Sequence, residues 1–386
     1  MNNFYFQIPT EVYFGKGQIA HLGGSILKNG RKVLLVYCGD SILPAGLYQT
    51  IQTIFEQNGI QSFELPGVEP NPKIESVRKG VQICRQNHVE VVLAVGGGSA
   101  IDCAKMIAAG AKYNGDAWDL AQNASLIQKM LPLITVVTLA ATGSEMDRYA
   151  VISNRSTNEK IGVFSPLFYP QASILDPEYT FTVPKTQTAA GTADMMSHVM
   201  ESYFNNVTGA YIQARISEAL LKTCIHYGPI ACREPENYEA RANLMWASTL
   251  ANDGLTWRGA DVVISAHPIG HQLSAYYDIT HGVALAIITP HWMRHILNDK
   301  TVRKFADFGV NAWGIDPRLD RFEIANKAIG KLTEFFASLG IPSTLREAGV
   351  TEEYLGVMAE KAAVGLENAF SPLASGDVLA ILKAAM

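Results

Sequence analysis

The chain has 386 residues, which at about 150 residues per domain makes two domains or one large one. Hydrophobic residues make up 48% and charged residues 17%, which fits a compact, core-rich enzyme better than a disordered or highly solvated chain. The formal charge is −5 and no Lys/Arg-rich stripe occurs, so there is no electrostatic footprint for nucleic acid and a small ligand is the expected partner.

The N-terminal segment MNNFYFQIPTEVYFGKG has neither a basic leader nor a continuous apolar run, and no stretch reaches the ~20 apolar residues of a membrane span. The cysteines, Cys38, Cys84, Cys103, Cys224 and Cys232, are an odd number, far apart, and form no Cys-x-x-Cys pair. They read as reduced packing residues, so a soluble cytoplasmic protein is expected.

From residue 31 apolar runs alternate with helical patterns, the signature of a parallel α/β sheet. The spacing predicts strands at 32–37, 61–65, 90–95 and 134–138, with helices at 45–57, 74–86 and 100–111 between them. After Glu145, YAVIS-NRSTNE-KIGVF predicts a β-hairpin, and a last strand is expected at 172–175. Beyond Pro184 strand signals nearly vanish and helical patterns run to Met386. The expected division is an α/β domain at 1–183 and an all-helical domain at 184–386.

Two segments carry chemistry. In VVLAVGGGSAIDCAKMIAAG, Gly96, Gly97 and Gly98 lead from a strand into a helix, where backbone N–H groups can meet a phosphate. Ser99 and Asp102 are spaced as an N-cap and its capping-box partner. A glycine run here also serves as a plain tight turn, and Asp102 as a structural cap. A weaker turn, YCGDS, follows the first strand.

The second segment is TVPKTQTAAGTADMMSHVMESYF. Pro184 suits a first helical turn, and Asp194 and His198 stand one turn apart among Ala193, Met195, Met196, Val199 and Met200. A carboxylate on a helix buried almost all round needs compensation, and a divalent cation supplies it. The bland alternative is a hydrogen bond between Asp194 and His198. SAHPIGHQLSAYYDITHGVALAI adds His267, His271 and His281, among which spacing does not choose.

Together these residues resemble the iron-containing alcohol dehydrogenase family, its butanol dehydrogenase and broad-specificity aldehyde reductase branch. The matching motifs span the chain: PTEVYFGKG, GVEPNPKIE, AVGGGSAIDCAK, TLAATGSE, LDPEYTFTVP, the Asp194/His198 helix, GHQL and ITHGVALAIITP. The resemblance implies a dehydroquinate synthase-like fold: a dinucleotide-binding domain, a helical domain and an active site in the cleft between them. It implies a metal on Asp194, His198, His267 and His281, with His271 left as a close neighbour facing cofactor or substrate. The proton of the alkoxide would be exchanged through water or a nearby side chain, His271 being the first candidate. It places Gly96, Gly97, Gly98 and Ser99 under the pyrophosphate of NAD or NADP, with Asp102 flanking. Asn71, Thr138, Leu139, Thr142 and Ser144 would lie along the coenzyme, and Lys160 near the nicotinamide ribose. The first turn resembles that of NADP-preferring relatives and keeps Ser41, yet carries Asp40, whose carboxylate would repel a 2′-phosphate. Homodimers through residues 4–14 are also implied.

A further departure follows the G-S-E motif, where Asp147, Arg148 and Tyr149 replace smaller residues, which implies a pocket altered in charge and size. Trp257, Tyr276 and Tyr277 are candidates to line it. Protein ligands in this number would close a tetrahedral zinc site, whereas Fe²⁺ accepts more and leaves room for a substrate oxygen, so iron is expected, with zinc as the substitute. The expected reaction is hydride transfer between NAD(P)H and a small aldehyde or primary alcohol. A glycerol-type polyol dehydrogenase, a cyclising lyase that uses NAD and metal internally, and a retired binding scaffold are the competing readings.

Overall fold

The run KVLLVY has no polar face because both of its faces are covered: Val33, Leu35 and Tyr37 pack into one apolar cluster, Leu34 and Val36 into another. A parallel strand with helices on both sides requires this. The computed structural model describes residues 1–42, 46–260 and 262–386, apart from the side chains of Asp40 and Ser41.

In chain order the main elements are β1 Glu11–Phe14, α1 Leu22–Leu27, β2 Lys32–Tyr37, α2 Leu47–Asn58, β3 Gln61–Leu65, α3 Ile74–Asn87, β4 Val91–Gly96, α4 Gly98–Gly110 and α5 Ala117–Gln122. They continue as β5 Leu133–Val137, β6 Tyr149–Asn154, β7 Glu159–Phe164, β8 Ala172–Leu175, α6 Lys185–Tyr203, α7 Tyr211–Arg233 and α8 Tyr238–Ala251. The rest is helical: α9 Ala266–Tyr277, α10 His281–Ile296, α11 Val302–Trp313, α12 Arg321–Ser338, α13 Leu355–Ala362 and α14 Ser375–Ala384.

The chain forms two compact units, one of Gln7–Pro184 with Pro235–Thr249, the other of Met1–Phe6, Lys185–Glu234 and Leu250–Met386. In the first, a parallel six-stranded sheet runs in the order β1-β8-β5-β4-β2-β3. Leu22 and Ile26 of α1 and Leu47, Ile51 and Phe55 of α2 cover one face. Ile74 and Val77 of α3, Ile101 of α4 and Trp118 of α5 join the apolar cluster on the other. The chain steps outward from β2 to β3, then returns to place β4 on the opposite side of β2. Open α/β sheets bind ligands at such a reversal, and the turns that leave β2 and β4 flank it.

The hairpin expected after Glu145 is β6 paired antiparallel with β7, and it is tied back by Ser153 N, which donates to Pro72 O at 2.8 Å. Several expectations shift at their edges, the helix expected at 74–86 by one residue to Ile74–Asn87. The strands expected at 90–95 and 134–138 are Val91–Gly96 and Leu133–Val137. The helix expected at 45–57 is seen as Leu47–Asn58, with residue 45 outside the described residues. The helix expected at 100–111 begins earlier, at Gly98, because Gly96 at φ +157° makes the turn and the extended Gly97 already serves as N-cap.

The second unit is built of helices. Pro184 precedes α6, which opens at Lys185, and Asn2 N donates to Gly259 O at 2.8 Å to hold the N-terminal segment against this unit. From Thr188 to Tyr203 almost every residue of α6 is buried, so a charged group on it meets protein wherever it points.

Candidate functional site

Asp194, His198 and Glu201 are spaced i, i+4, i+7 along α6 and share one stripe of the helix. Asp194 Oδ1 lies 3.8 Å from His198 Nδ1 and 3.9 Å from His281 Nε2. That oxygen is buried and has no hydrogen-bond partner. Both distances exceed the ~2.7–3.2 Å of an N–H···O bond. They come nearer to the spacing of two ligands on one tetrahedral ion, about 3.4 Å when each is about 2.1 Å from it. Asp194, His267 and His281 each offer a ligand atom, all within 4.8 Å of one another. His198 adjoins this group, its ring centroid 4.4 Å from that of His267. His271 is not one of the three, although its ring centroid is 5.1 Å from that of His281 and 6.3 Å from that of His267. The donor set, one carboxylate and imidazoles around a buried unsatisfied oxygen, fits a divalent metal.

A close approach of helices brings His281 here. His281 opens α10 and is followed by Gly282, where a Cβ would stand 2.0 Å from Ala190 O on α6, one turn before Asp194. No side chain fits that gap, so α10 lies directly on α6.

Sequence reasoning misses Glu201, although a carboxylate seven residues beyond Asp194 on an apolar helix is a signal for it. Its side chain is buried and accepts from His267 Nδ1, from Ser265 N at 2.5 Å, and from Ala266 N and His267 N. Burial, the largest single influence, works to raise this carboxyl, but His267 and the amides together outweigh it and hold the group below its ordinary range.

In the sheet unit the glycine turn is roofed by its neighbours. Thr138 N donates to Gly96 O at 3.1 Å. A Cβ on Gly97 would lie 3.0 Å from Leu139 Cβ, and one on Gly98 2.5 Å from Thr142 Oγ1. The N-cap of α4 is a glycine with no side chain to cap it, and its carbonyl takes the amides of Ala100 and Ile101. That leaves the amides of Gly98 and Ser99 to meet an anion, which fits the pyrophosphate of a dinucleotide. The capping box expected of Ser99 and Asp102 is therefore corrected: the N-cap is Gly97, Ser99 lies inside the helix, and Asp102 is a full turn past the free amides.

Asp102 instead accepts from Ser144 Oγ at 2.6 Å and from Val151 N at 2.8 Å. Burial pushes its carboxyl up to about 6, with Lys105 opposing and Asp147 reinforcing. Asn71 and Lys160 are also brought together, with Lys160 Nζ donating to Asn71 Oδ1 at 2.8 Å. Asn71 holds a left-handed backbone at φ +50°, uncommon for a residue with a side chain. The side chains of Asp40 and Ser41 lie outside the described residues.

The expectation that Asp147 and Arg148 alter the charge of a substrate pocket does not hold for Asp147. Lys105, fully buried on α4, pairs with Asp147 Oδ1 at 2.6 Å and also donates to Ser144 Oγ and Tyr149 O. A cation this deep needs a counter-ion, and Asp147 is spent on it. Arg148 lies over the Phe164 ring at 4.4 Å. The candidate pocket aromatics have packing partners of their own: Tyr276 and Tyr277 pack on Tyr354, and Trp257 lies under Arg258.

Residues 9–177 match the pattern of iron-containing alcohol dehydrogenases, and residues 188–386 match the C-terminal pattern of the same family. The chain belongs to the iron-containing alcohol dehydrogenase family. Among its relatives, the NADH-dependent butanol dehydrogenase A of Clostridium acetobutylicum is 55% identical over 386 residues, with 99% of each chain covered. The NADPH-dependent aldehyde reductase YqhD of Escherichia coli is 37% identical, over 94% of this chain and 93% of the other. The crystal structure of NADH-dependent butanol dehydrogenase A from Thermotoga maritima superposes with a TM-score of 0.94 at 38% identity, covering 100% of this chain and 99% of that one. These family members share the α/β sheet unit and the helical region. Among the described residues no helix is long and apolar enough to cross a membrane.

Proposed function

We propose that this chain is a metal-dependent, NAD(P)-linked alcohol dehydrogenase or aldehyde reductase that moves a hydride between a nicotinamide and the carbonyl carbon of a small aldehyde, the primary alcohol being the reduced partner. The observation that carries this reading is the Asp194 carboxylate, buried among imidazoles with an oxygen that no hydrogen bond satisfies, in a chain of this family. When bound, a divalent iron would supply Lewis-acid polarisation of the carbonyl oxygen, and the nicotinamide would supply the hydride.

Asp194, His198, His267 and His281 would hold the metal, and zinc would suit the same donors. His271, outside the tight group, is proposed to pass the proton that the product oxygen takes up. Gly96, Gly97, Gly98 and Ser99 would hold the pyrophosphate, bordered by Thr138, Leu139 and Thr142. Asn71, Lys160, Ser144 and Asp102 are proposed to line the remainder of the coenzyme site, and Asp40 and Ser41 its far end. In this division of labour the expected boundary at 183/184 holds only in part: the unit of Gln7–Pro184 with Pro235–Thr249 serves the coenzyme, and the unit of Met1–Phe6, Lys185–Glu234 and Leu250–Met386 the metal. The oxidoreductase relatives favour hydride transfer over a cyclising lyase. Among the described residues no disulfide joins the cysteines, which fits a reducing cytoplasm. A homodimer is proposed through β1, the terminal strand of its sheet, on which Phe14 is exposed, as are Phe4 and Tyr5 earlier in the chain. Sedimentation at micromolar concentration reads that state directly.

The deciding experiment loads the purified chain with Fe²⁺ under anaerobic conditions and follows NADH and NADPH oxidation with a series of short aldehydes. Oxidation by at least one coenzyme is expected, and His267→Ala should lose both metal and turnover. No oxidation with any aldehyde, together with unchanged metal content in His267→Ala, overturns the proposal.

A further inference from the structure

Glu201 is buried on the helix that carries Asp194 and His198, and it is the acceptor for the helix that carries His267. Its carboxylate receives the Nδ1–H of His267 and the amides of Ser265, Ala266 and His267, the first turn of α9. Ser265, the N-cap of α9, makes no side-chain cap of its own. A carboxylate from α6 thus does the work of that cap and meets the positive end of the helix dipole.

We infer that Glu201 is a positioning residue for the metal centre, one that chooses the tautomer of His267 and sets where α9 begins. A neutral imidazole carries one N–H, and an ionised carboxylate only accepts. With Glu201 at Nδ1 the proton stays there, and the lone pair is left on Nε2, the atom that would face the ion. Such outer partners orient ligands and raise their basicity. Because the same carboxylate binds the α9 backbone, the ring and the helix that carries it are set by one group rather than two. Asp194, His198 and Glu201 then form a single stripe with two jobs: the first two donate to the ion, and the third prepares a ligand on another helix.

Glu201→Gln separates this role from packing. The amide keeps an oxygen for the α9 amides and the same volume, but its NH₂ must donate to Nδ1. That moves the ring proton to Nε2, onto the metal-binding atom. The inference rests on the metal reading above, so two readouts are needed. The first is the set of ¹⁵N imidazole shifts of the metal-free full-length chain, with His267 assigned by its loss in His267→Gln. The wild type should show His267 as the Nδ1–H tautomer, and Glu201→Gln as the Nε2–H tautomer. The second is Fe²⁺ alone, titrated anaerobically against a chromophoric chelator. Glu201→Gln should bind about 10- to 100-fold more weakly than wild type.

Wild-type affinity and an unchanged tautomer in Glu201→Gln overturn this inference and leave the metal reading intact. A wild type that binds no Fe²⁺ overturns both. If Glu201→Gln does not fold, the wild-type spectrum decides alone: His267 as the Nε2–H tautomer overturns the inference, and as Nδ1–H supports it.

Discussion

Replacing Gly282 with alanine tests the close helix approach that delivers His281. The new Cβ would fall 2.0 Å from Ala190 O and 2.7 Å from Ala190 C, both backbone atoms of α6 that have no rotamer to escape into. Ordinary contact begins at 3.4 Å, so α10 must retreat from α6 by ~1.4 Å at this point. Overpacking of this kind costs roughly 1–3 kcal/mol. The larger consequence is chemical, because metal–ligand distances hold to about ±0.2 Å and His281 is the residue next to the clash. Gly282→Ala should therefore keep its circular dichroism spectrum but bind well under one Fe²⁺ per chain, measured by elemental analysis after anaerobic loading and desalting. A variant with the full wild-type metal content and an unchanged Tm would refute the reasoning, since it would mean that the helices part freely or that His281 is not needed.

Two other predictions concern buried charges. Lys105→Met removes the buried counter-ion of Asp147, and should cost roughly 3–5 kcal/mol in denaturant unfolding, with Lys105→Met/Asp147→Asn recovering more than half of the loss. A single-variant loss below about 1 kcal/mol would show that water reaches the pair. Asp253, with Oδ2 buried and lacking a partner, has its carboxyl pushed up from 3.8 to about 7, chiefly by burial. Its proton is held more tightly in the folded chain than in the unfolded one, so stability falls as pH rises from about 4 to about 7 and then levels. Asp253→Asn should flatten that fall and gain up to about 4 kcal/mol above it, read as Tm against pH. An unchanged slope would place the titration elsewhere.

The sheet was legible because a covered parallel strand leaves a continuous apolar run, and KVLLVY cannot be written any other way. Its edges were not, since one residue more or less at Val91 or Leu133 changes no pattern. The helix proposed to carry the metal stood out for the opposite reason: Asp194 and His198 interrupt an apolar surface at helical spacing. What stayed hidden were partners distant in the chain. Asp147 looks like a pocket charge until Lys105, 42 positions earlier, is seen beneath it. Glu201 looks like one more helix carboxylate until the first turn of α9 closes on it. The histidines were indistinguishable by spacing, whereas the fold brings ligand atoms of His267 and His281, with Asp194, within 4.8 Å of one another and leaves His271 out of that group.

Lys105 leaves one further mark on the molecule. Its ammonium reaches from α4 to Ser144, Asp147 and Tyr149, while Asp102 on the same helix takes Val151 N. The segment that roofs the glycine turn and the hairpin after it are thus bolted to the helix that begins at that turn. They form a fixed wall rather than a door. A coenzyme held at those glycines, as proposed, would meet a surface already tied down, so little ordering entropy should be lost there on binding. The amides of Tyr149 and Val151 should accordingly exchange with solvent as slowly as the strands of the sheet, with or without coenzyme.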